Sequence, residues 1–127
     1  MSNLKFINNP FDTLIEAVGV LYPEINALIQ FNPELEEEGC TSFYEYPSSQ
    51  VLIELSIKLP FEVMVETLIH ELAHAVIGPD KEDHGEEWEL VLENIRCKHN
   101  ELLELTAQKF GEGNSIGSDV LYLYFLY

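Results

Sequence analysis

The sequence predicts one α+β domain spanning residues 1–127. Its order is an N-terminal helix, a small, mostly antiparallel sheet with a hairpin, a helix carrying His70-Glu71-Leu72-Ala73-His74, a long C-terminal helix and a short terminal strand. Three observations carry that prediction. The chain has 127 residues, 46% hydrophobic and 23% charged, which suits one core and leaves no room for a second domain of ordinary size. Apolar residues recur at helical spacing in some stretches and alternate at strand spacing in others. Pro and Gly fall between those stretches rather than inside them.

The first helix is predicted over Pro10 to Leu21, where Phe11, Leu14, Ile15, Val18 and Leu21 repeat at helical spacing. Pro suits its start, and Tyr22-Pro23 breaks it. Ile25 to Phe31 is β-prone and closes at Asn32-Pro33. Glu34 to Gly39 is acidic and predicts a solvated turn. Thr41 to Tyr46 and Gln50 to Ile57 predict two strands joined through Pro47-Ser48-Ser49 as a hairpin. In the second of them Val51, Ile53, Leu55 and Ile57 share one face, opposite Leu52, Glu54 and Ser56.

Leu59-Pro60 then announces a helix from Phe61 to Ile77 with an apolar stripe of Val65, Leu68, Ile69, Leu72 and Val76. Gly78-Pro79 stops it. A long helix is predicted over Glu86 to Phe110, with Trp88, Val91, Leu92, Ile95, Leu102, Leu103 and Leu105 as its apolar positions and its acids on a solvated face. Gly111 to Asn114 forms a loop, and Val120 to Tyr127 returns as a short buried or pairing strand. That last run is far too short to span a bilayer.

The chemistry concentrates at His70-Glu71-x-x-His74. On a helix, positions i and i+4 project from one face, so the two imidazoles can converge on one metal ion. Glu71 is offset by one residue and can stand beside the ion as general base without being a ligand. The apolar stripe turns the back of this helix to the core. Both His residues and Glu71 fall on another flank, beside Thr67. A catalytic zinc takes three protein ligands as a rule, and His84 is the first candidate for the third. The chain from Gly78 to His84, with Asp80, Glu82 and Asp83, is long enough to fold back, and Gly85 permits close backbone approach. Trp88, one turn into the next helix, can pack that helix against the first. A carboxylate from Glu86, Glu87 or Glu89 is the rival third ligand.

The stretch Thr67 to Trp88, TLIHELAHAVIGPDKEDHGEEW, resembles the SprT-like zinc metallopeptidases. In that family HExxH is followed, after a variable loop, by His-Gly and an aromatic residue three positions beyond the Gly. The resemblance implies a minimal zincin-like domain in which His70, His74 and His84 bind zinc and Glu71 is the general base. It also implies a protein or peptide substrate, hydrolysed by a zinc-activated water. Phages and prophages often encode small proteins of this kind. Upstream the likeness rests on element order alone. The metzincin spacing of a third His is not matched, whereas a Glu ligand from the second helix is the gluzincin arrangement.

Composition narrows the partners. Net charge is −17, from 23 acidic against 6 basic residues, so few cations are at hand to neutralise a phosphate backbone. Direct nucleic-acid binding and anionic membranes are therefore disfavoured. The basic surface and appended zinc ribbon of DNA-directed family members are both missing. No signal peptide is evident at the N-terminus. Two cysteines, Cys40 and Cys97, make no disulfide framework, and a cytoplasmic location is expected.

The remaining candidates have structural readings. His99 is expected as an ordinary surface or helix-flank residue, Cys40 as a small core residue, and Tyr44 and Tyr46 as sheet residues rather than oxyanion donors. A second functional class stays open: a non-enzymatic acidic protein with a structural zinc site, engaging a basic partner or mimicking nucleic acid. A strand beside the site, over Thr41 to Tyr46, is expected to pair with an extended substrate.

Overall fold

In a computed structural model, which describes residues 4, 6–7, 9–45, 49–79 and 84–111, the first helix, α1 (Pro10–Leu21), opens on Asn9. The Asn9 side-chain oxygen accepts the Phe11 N–H at 3.0 Å, satisfying a donor the helix itself cannot. Pro10, at the first helical position, has no N–H to satisfy. The helix closes where Tyr22 N–H donates to the Val18 carbonyl at 2.7 Å. Leu14, Ala17 and Val18 face inward, as the helical period requires.

The sheet consists of β1 (Ala27–Phe31), β2 (Gly39–Tyr44) and β3 (Gln50–Leu55), in the order β1-β3-β2. β2 pairs antiparallel with β3, while β1 pairs parallel with it. The sheet is therefore mixed, where a mostly antiparallel one was expected. The cause is the central place of β3, whose Ile53 and Leu55 are almost fully buried. A strand that apolar takes the middle, which separates β1 from β2 and leaves β1 a parallel partner only. The segment between β1 and β2 wraps the end of β3: Asn32 N–H donates to the Leu55 carbonyl at 2.9 Å, and Ser56 N–H to the Glu38 carbonyl at 3.0 Å.

Register fixes the faces. Ile53 lies between Ile29 and Thr41 across the sheet, and Leu55 between Phe31 and Gly39, so these residues share the inner face. Leu28, Gln30, Glu54, Cys40 and Tyr44 lie on the outer face, where Glu54 accepts from Gln30 and Asn32 at 3.1 and 2.9 Å. Several strand boundaries differ from the expected ones: β1 starts at Ala27 rather than Ile25, and β2 ends at Tyr44. Gly39 belongs to β2 rather than to the acidic turn. β3 ends at Leu55, because the Ser56 hydroxyl accepts the Lys58 N–H at 3.1 Å and bends the chain. Ser56 is consequently buried and Ile57 exposed, the reverse of the strand alternation. Pro47, Ser48 and Tyr46 lie outside the described residues.

α2 (Phe61–Ile77) and α3 (Glu86–Gly111) complete the chain order. α2 packs on β2 and β3 with one side and on α3 with another, while α1 lies mainly against α3. Leu14, Ile53, Leu55, Leu68, Leu72 and Ile95 form the shared core. Burying each such side chain is worth about 1.5–3 kcal/mol. Along α3 the buried positions are Trp88, Val91, Ile95, His99, Leu103 and Ala107, spaced three or four apart. His99 is thus a core residue, correcting the surface expectation, and Leu105 is exposed instead of apolar core. Among the described residues no helix is long and apolar enough to cross a membrane. The expected loop beyond Gly111 and the strand Val120 to Tyr127 fall outside the described residues.

Candidate metal centre

α2 begins without a side-chain cap. Instead the Pro60 carbonyl accepts both Val63 and Met64 N–H groups at 3.0 Å. Leu68, Ile69, Leu72, Ala73 and Ala75 are buried, and this orients the opposite flank, with Thr67, His70, Glu71 and His74, away from the deepest core. Gly78 ends the helix at φ 87, a left-handed backbone that glycine adopts without steric cost. Its N–H donates to the His74 carbonyl at 3.0 Å, so the stop signal is bonded to the last turn that carries the motif.

The three expected histidines come together. His74 Nε2 lies 3.1 Å and His84 Nε2 3.2 Å from His70 Nε2. One ligand atom from each of the three falls within 4.8 Å of the others. A tetrahedral ion with metal–nitrogen bonds of about 2.0–2.1 Å sets its ligand nitrogens about 3.3–3.4 Å apart, close to the two spacings from His70. Glu86, Glu87 and Glu89, the rival third ligands, are not members of the group that could hold a metal among the described residues. Asp80, Glu82 and Asp83 lie outside them.

His84 stands at φ 61, a left-handed conformation uncommon for a non-glycine residue and costing on the order of 1–3 kcal/mol. It directly precedes Gly85, whose carbonyl accepts the Glu89 N–H at 3.0 Å as α3 begins. The strain therefore sits at the junction that brings this imidazole to the other two. Trp88 supports the group from α3, its ring centroid 4.9, 5.5 and 4.5 Å from those of His70, His74 and His84. The three imidazole centroids are themselves 4.8 to 5.2 Å apart, so four rings form one packed cluster. The buried Trp88 Nε1–H has no hydrogen-bond partner among the described residues, a cost of about 1–3 kcal/mol.

Glu71 is only 7% exposed. Its carboxylate Oε1 accepts from the Thr41 hydroxyl of β2 at 2.6 Å. Gly39, two residues earlier on the same face, lies so close that a Cβ there would sit 3.0 Å from Glu71 Cγ and 3.1 Å from Oε2. An open groove of about 510 Å³ runs past the site, lined by Glu38, Gly39, Glu62, Val63, Glu66 and Thr67 and ending on His70 and Glu71. Among its lining residues, Glu66 is paired with Arg96 of α3, which also bonds Glu93. Those carboxylates raise the guanidinium's pKa, chiefly through the Glu66 hydrogen bond.

The other candidates lie elsewhere. His99 bonds the Pro10 carbonyl at 3.0 Å, far from the three-histidine group in the chain's packing, and burial pushes its pKa down from the ordinary value. Cys40 is half-buried on the outer sheet face, with Ser42 Oγ 3.9 Å from its sulfur. Tyr44 is exposed on that face. Sequence patterns gave no notice of Thr41 or Gly39. The contact joins residues thirty apart, and only strand pairing brings them to α2.

Comparison with known proteins places this arrangement. The SprT-like family matches residues 24–108. Protein SprT of Pseudomonas paraeruginosa (strain DSM 24068 / PA7) is 27% identical over 101 residues, which cover 75% of this chain and 51% of that protein. The chain thus spans about half the length of this curated relative. The crystal structure of the metallopeptidase zymogen of Pyrococcus abyssi abylysin is similar with a TM-score of 0.50 at 23% identity, covering 80% of this chain and 94% of that one. That likeness is one of fold.

Proposed function

This chain belongs to the SprT-like family, and from that premise we propose that it is a zinc-dependent metallopeptidase with Glu71 as general base. The observation that carries the reading is the convergence of His70, His74 and His84 beside a buried carboxylate. Zinc is the metal proposed, because three imidazoles at this spacing suit a borderline ion of tetrahedral preference. Bound there, it supplies Lewis-acid polarisation of a carbonyl and makes water acidic enough to ionise near neutral pH.

The chain's own residues would supply the rest. With Oε1 engaged by Thr41, the Glu71 Oε2 is left to take a proton from the attacking water and deliver it to the leaving amine. The groove past His70 and Glu71 gives an extended chain a path to the site. β2 stands at the edge of the described sheet, so its outer main-chain groups can pair with a peptide by strand addition. The proposed substrate is accordingly a protein or peptide, and the chain's −17 charge argues against a nucleic-acid partner. The proposed location is the cytoplasm, where both free thiols would persist. The structural-zinc alternative requires a fourth protein ligand and has no use for a carboxylate in the position of Glu71.

Purified protein should contain about one zinc per chain, and Glu71→Gln should keep the metal while abolishing peptide hydrolysis. Protein that takes up no zinc on reconstitution, or a Glu71→Gln variant as active as wild type, would overturn the proposal.

A further inference from the structure

Two residues of β2 bear on the Glu71 side chain, one by a hydrogen bond and one by the space it leaves. Thr41 Oγ1 lies 2.6 Å from Glu71 Oε1 and 3.2 Å from the Glu71 carbonyl oxygen. A hydroxyl has one proton to give, and the shorter, charge-assisted contact takes it, so Thr41 donates to the carboxylate. On the other side Gly39 carries no side chain, and a Cβ there would lie 3.0 Å from Glu71 Cγ and 3.1 Å from Oε2, so the glycine leaves open the space that the carboxylate arm occupies. Thr41 and Gly39 are both inner-face residues of the same strand, paired across to Ile53 and Leu55. Those partners are almost fully buried and anchor the strand.

We propose that β2 is a positioning strand for the base: Thr41 orients the Glu71 carboxylate by hydrogen bond, and Gly39, by carrying no side chain, leaves the room in which it is held. The proposal rests on the reading of Glu71 as general base. The physical reason is rotational. A Glu side chain has three free torsions, and a base that must meet one water proton loses rate if it swings between rotamers. With Oε1 bonded to Thr41 the carboxylate is held by one oxygen, and Oε2 keeps its lone pairs for the reaction. Neither residue belongs to the three-histidine group, so the device acts on the base without touching the metal.

The test uses zinc-loaded full-length chain carrying Thr41→Val, which keeps the shape and removes the donor, and Thr41→Ser, which restores it. Zinc content, KM and kcat on a denatured-protein substrate are measured for each. Thr41→Val should lower kcat about ten- to hundredfold with KM and zinc content unchanged, and Thr41→Ser should recover most of it. A kcat unchanged in Thr41→Val, or a loss that follows zinc, overturns the proposal. So does Thr41→Ser being as slow as Thr41→Val, since the donor would then be irrelevant.

A second measurement is independent of turnover. A double-mutant cycle of Thr41→Val with Glu71→Ala, read by urea unfolding, should show the two residues coupled by about tenfold in the unfolding constant. If wild type cleaves nothing, the peptidase reading falls, and the cycle alone then decides the contact. Coupling indistinguishable from zero overturns the positioning role in either case.

Discussion

Gly39 and Gly19 offer the same substitution in opposite surroundings, and their replacement by Ala should move stability in opposite directions. A Cβ at Gly39 would lie 2.8 Å from Thr67 Cγ2 and 3.0 Å from Glu71 Cγ. Carbon atoms in good contact sit about 3.5–4.0 Å apart, so at least about 0.7 Å must be absorbed. Thr67 is 8% and Glu71 7% exposed, so each is largely enclosed by its neighbours, and a β-branched Thr on a helix has few χ1 rotamers. Overpacking of this kind costs about 1–3 kcal/mol. The unfolded chain loses freedom on Gly→Ala, which offsets about 0.4–1 kcal/mol. The net is a loss of up to about 2.5 kcal/mol, centred on about 1 kcal/mol, or about 3–5 °C in melting temperature for a chain of this size.

Gly19 sits near the end of α1 with nothing within 4 Å of an added Cβ. Ala there should gain about 0.5–1 kcal/mol from helix propensity alone. Thermal melts by circular dichroism, with urea unfolding to check for unchanged slopes, would measure both variants in the same metal state. A Gly39→Ala protein that melts at or above wild type would refute the reasoning, because β2 would then not be pressed against Thr67 and Glu71.

The remaining predictions concern the histidines and the end of α2. Replacing His84 by Ala should reduce zinc content sharply, whereas His99→Gln should leave it unchanged; equal losses, read by metal analysis after dialysis, would remove His84 from the site. Burial holds the His99 pKa below its ordinary 6.5, with the Pro10 hydrogen bond and Glu66 acting weakly the other way. The unfolded chain therefore binds the proton more readily, and stability contributed by neutral His99 is fully present above pH 6.5 and declines as pH falls below it. Urea unfolding at pH 7.5 and pH 5 should show wild type losing its advantage over His99→Gln at the lower pH, and a constant difference would contradict the assignment. Gly78→Ala forces a side chain into φ 87 and should cost about 1–2 kcal/mol, seen as a lower urea midpoint.

The helices were largely legible because their signals are local. Pro10 and the Tyr22-Pro23 break bound α1, and Pro60 and Gly78 bound α2, where the expected and observed spans coincide. The three histidines were legible for the same reason, two by helical spacing and the third by its phrase with Gly85 and Trp88. The antiparallel pairing of β2 with β3 was legible as a hairpin, but the place of β1 was not, since nothing within Ala27–Phe31 says which neighbour it will take or in which direction. The burial of His99 was in principle readable. It falls on the same three-and-four spacing as Ile95 and Leu103, and only its polar neighbours Lys98 and Asn100 disguised it.

What the sequence hides around Glu71 follows from how a sheet normally spends its inner face. Apolar residues belong there, and Ile29, Ile53 and Leu55 obey that rule. Gly39 and Thr41 break it at consecutive inward positions of one strand, replacing hydrophobic contact with a bare backbone and a hydroxyl. An apolar side chain at Thr41 would pack against the same helix and satisfy the core, but it would leave the Glu71 carboxylate buried with no donor, at a cost of about 1–3 kcal/mol or more for a charged group. A larger residue at Gly39 would push that carboxylate out of place. The departure from core patterning thus makes sense only once Glu71 is known to lie opposite, and tertiary pairing alone supplies that fact. Inward polar or missing side chains on an otherwise apolar edge strand are therefore the signal to look for in chains of this kind, read after the helix motif and against it.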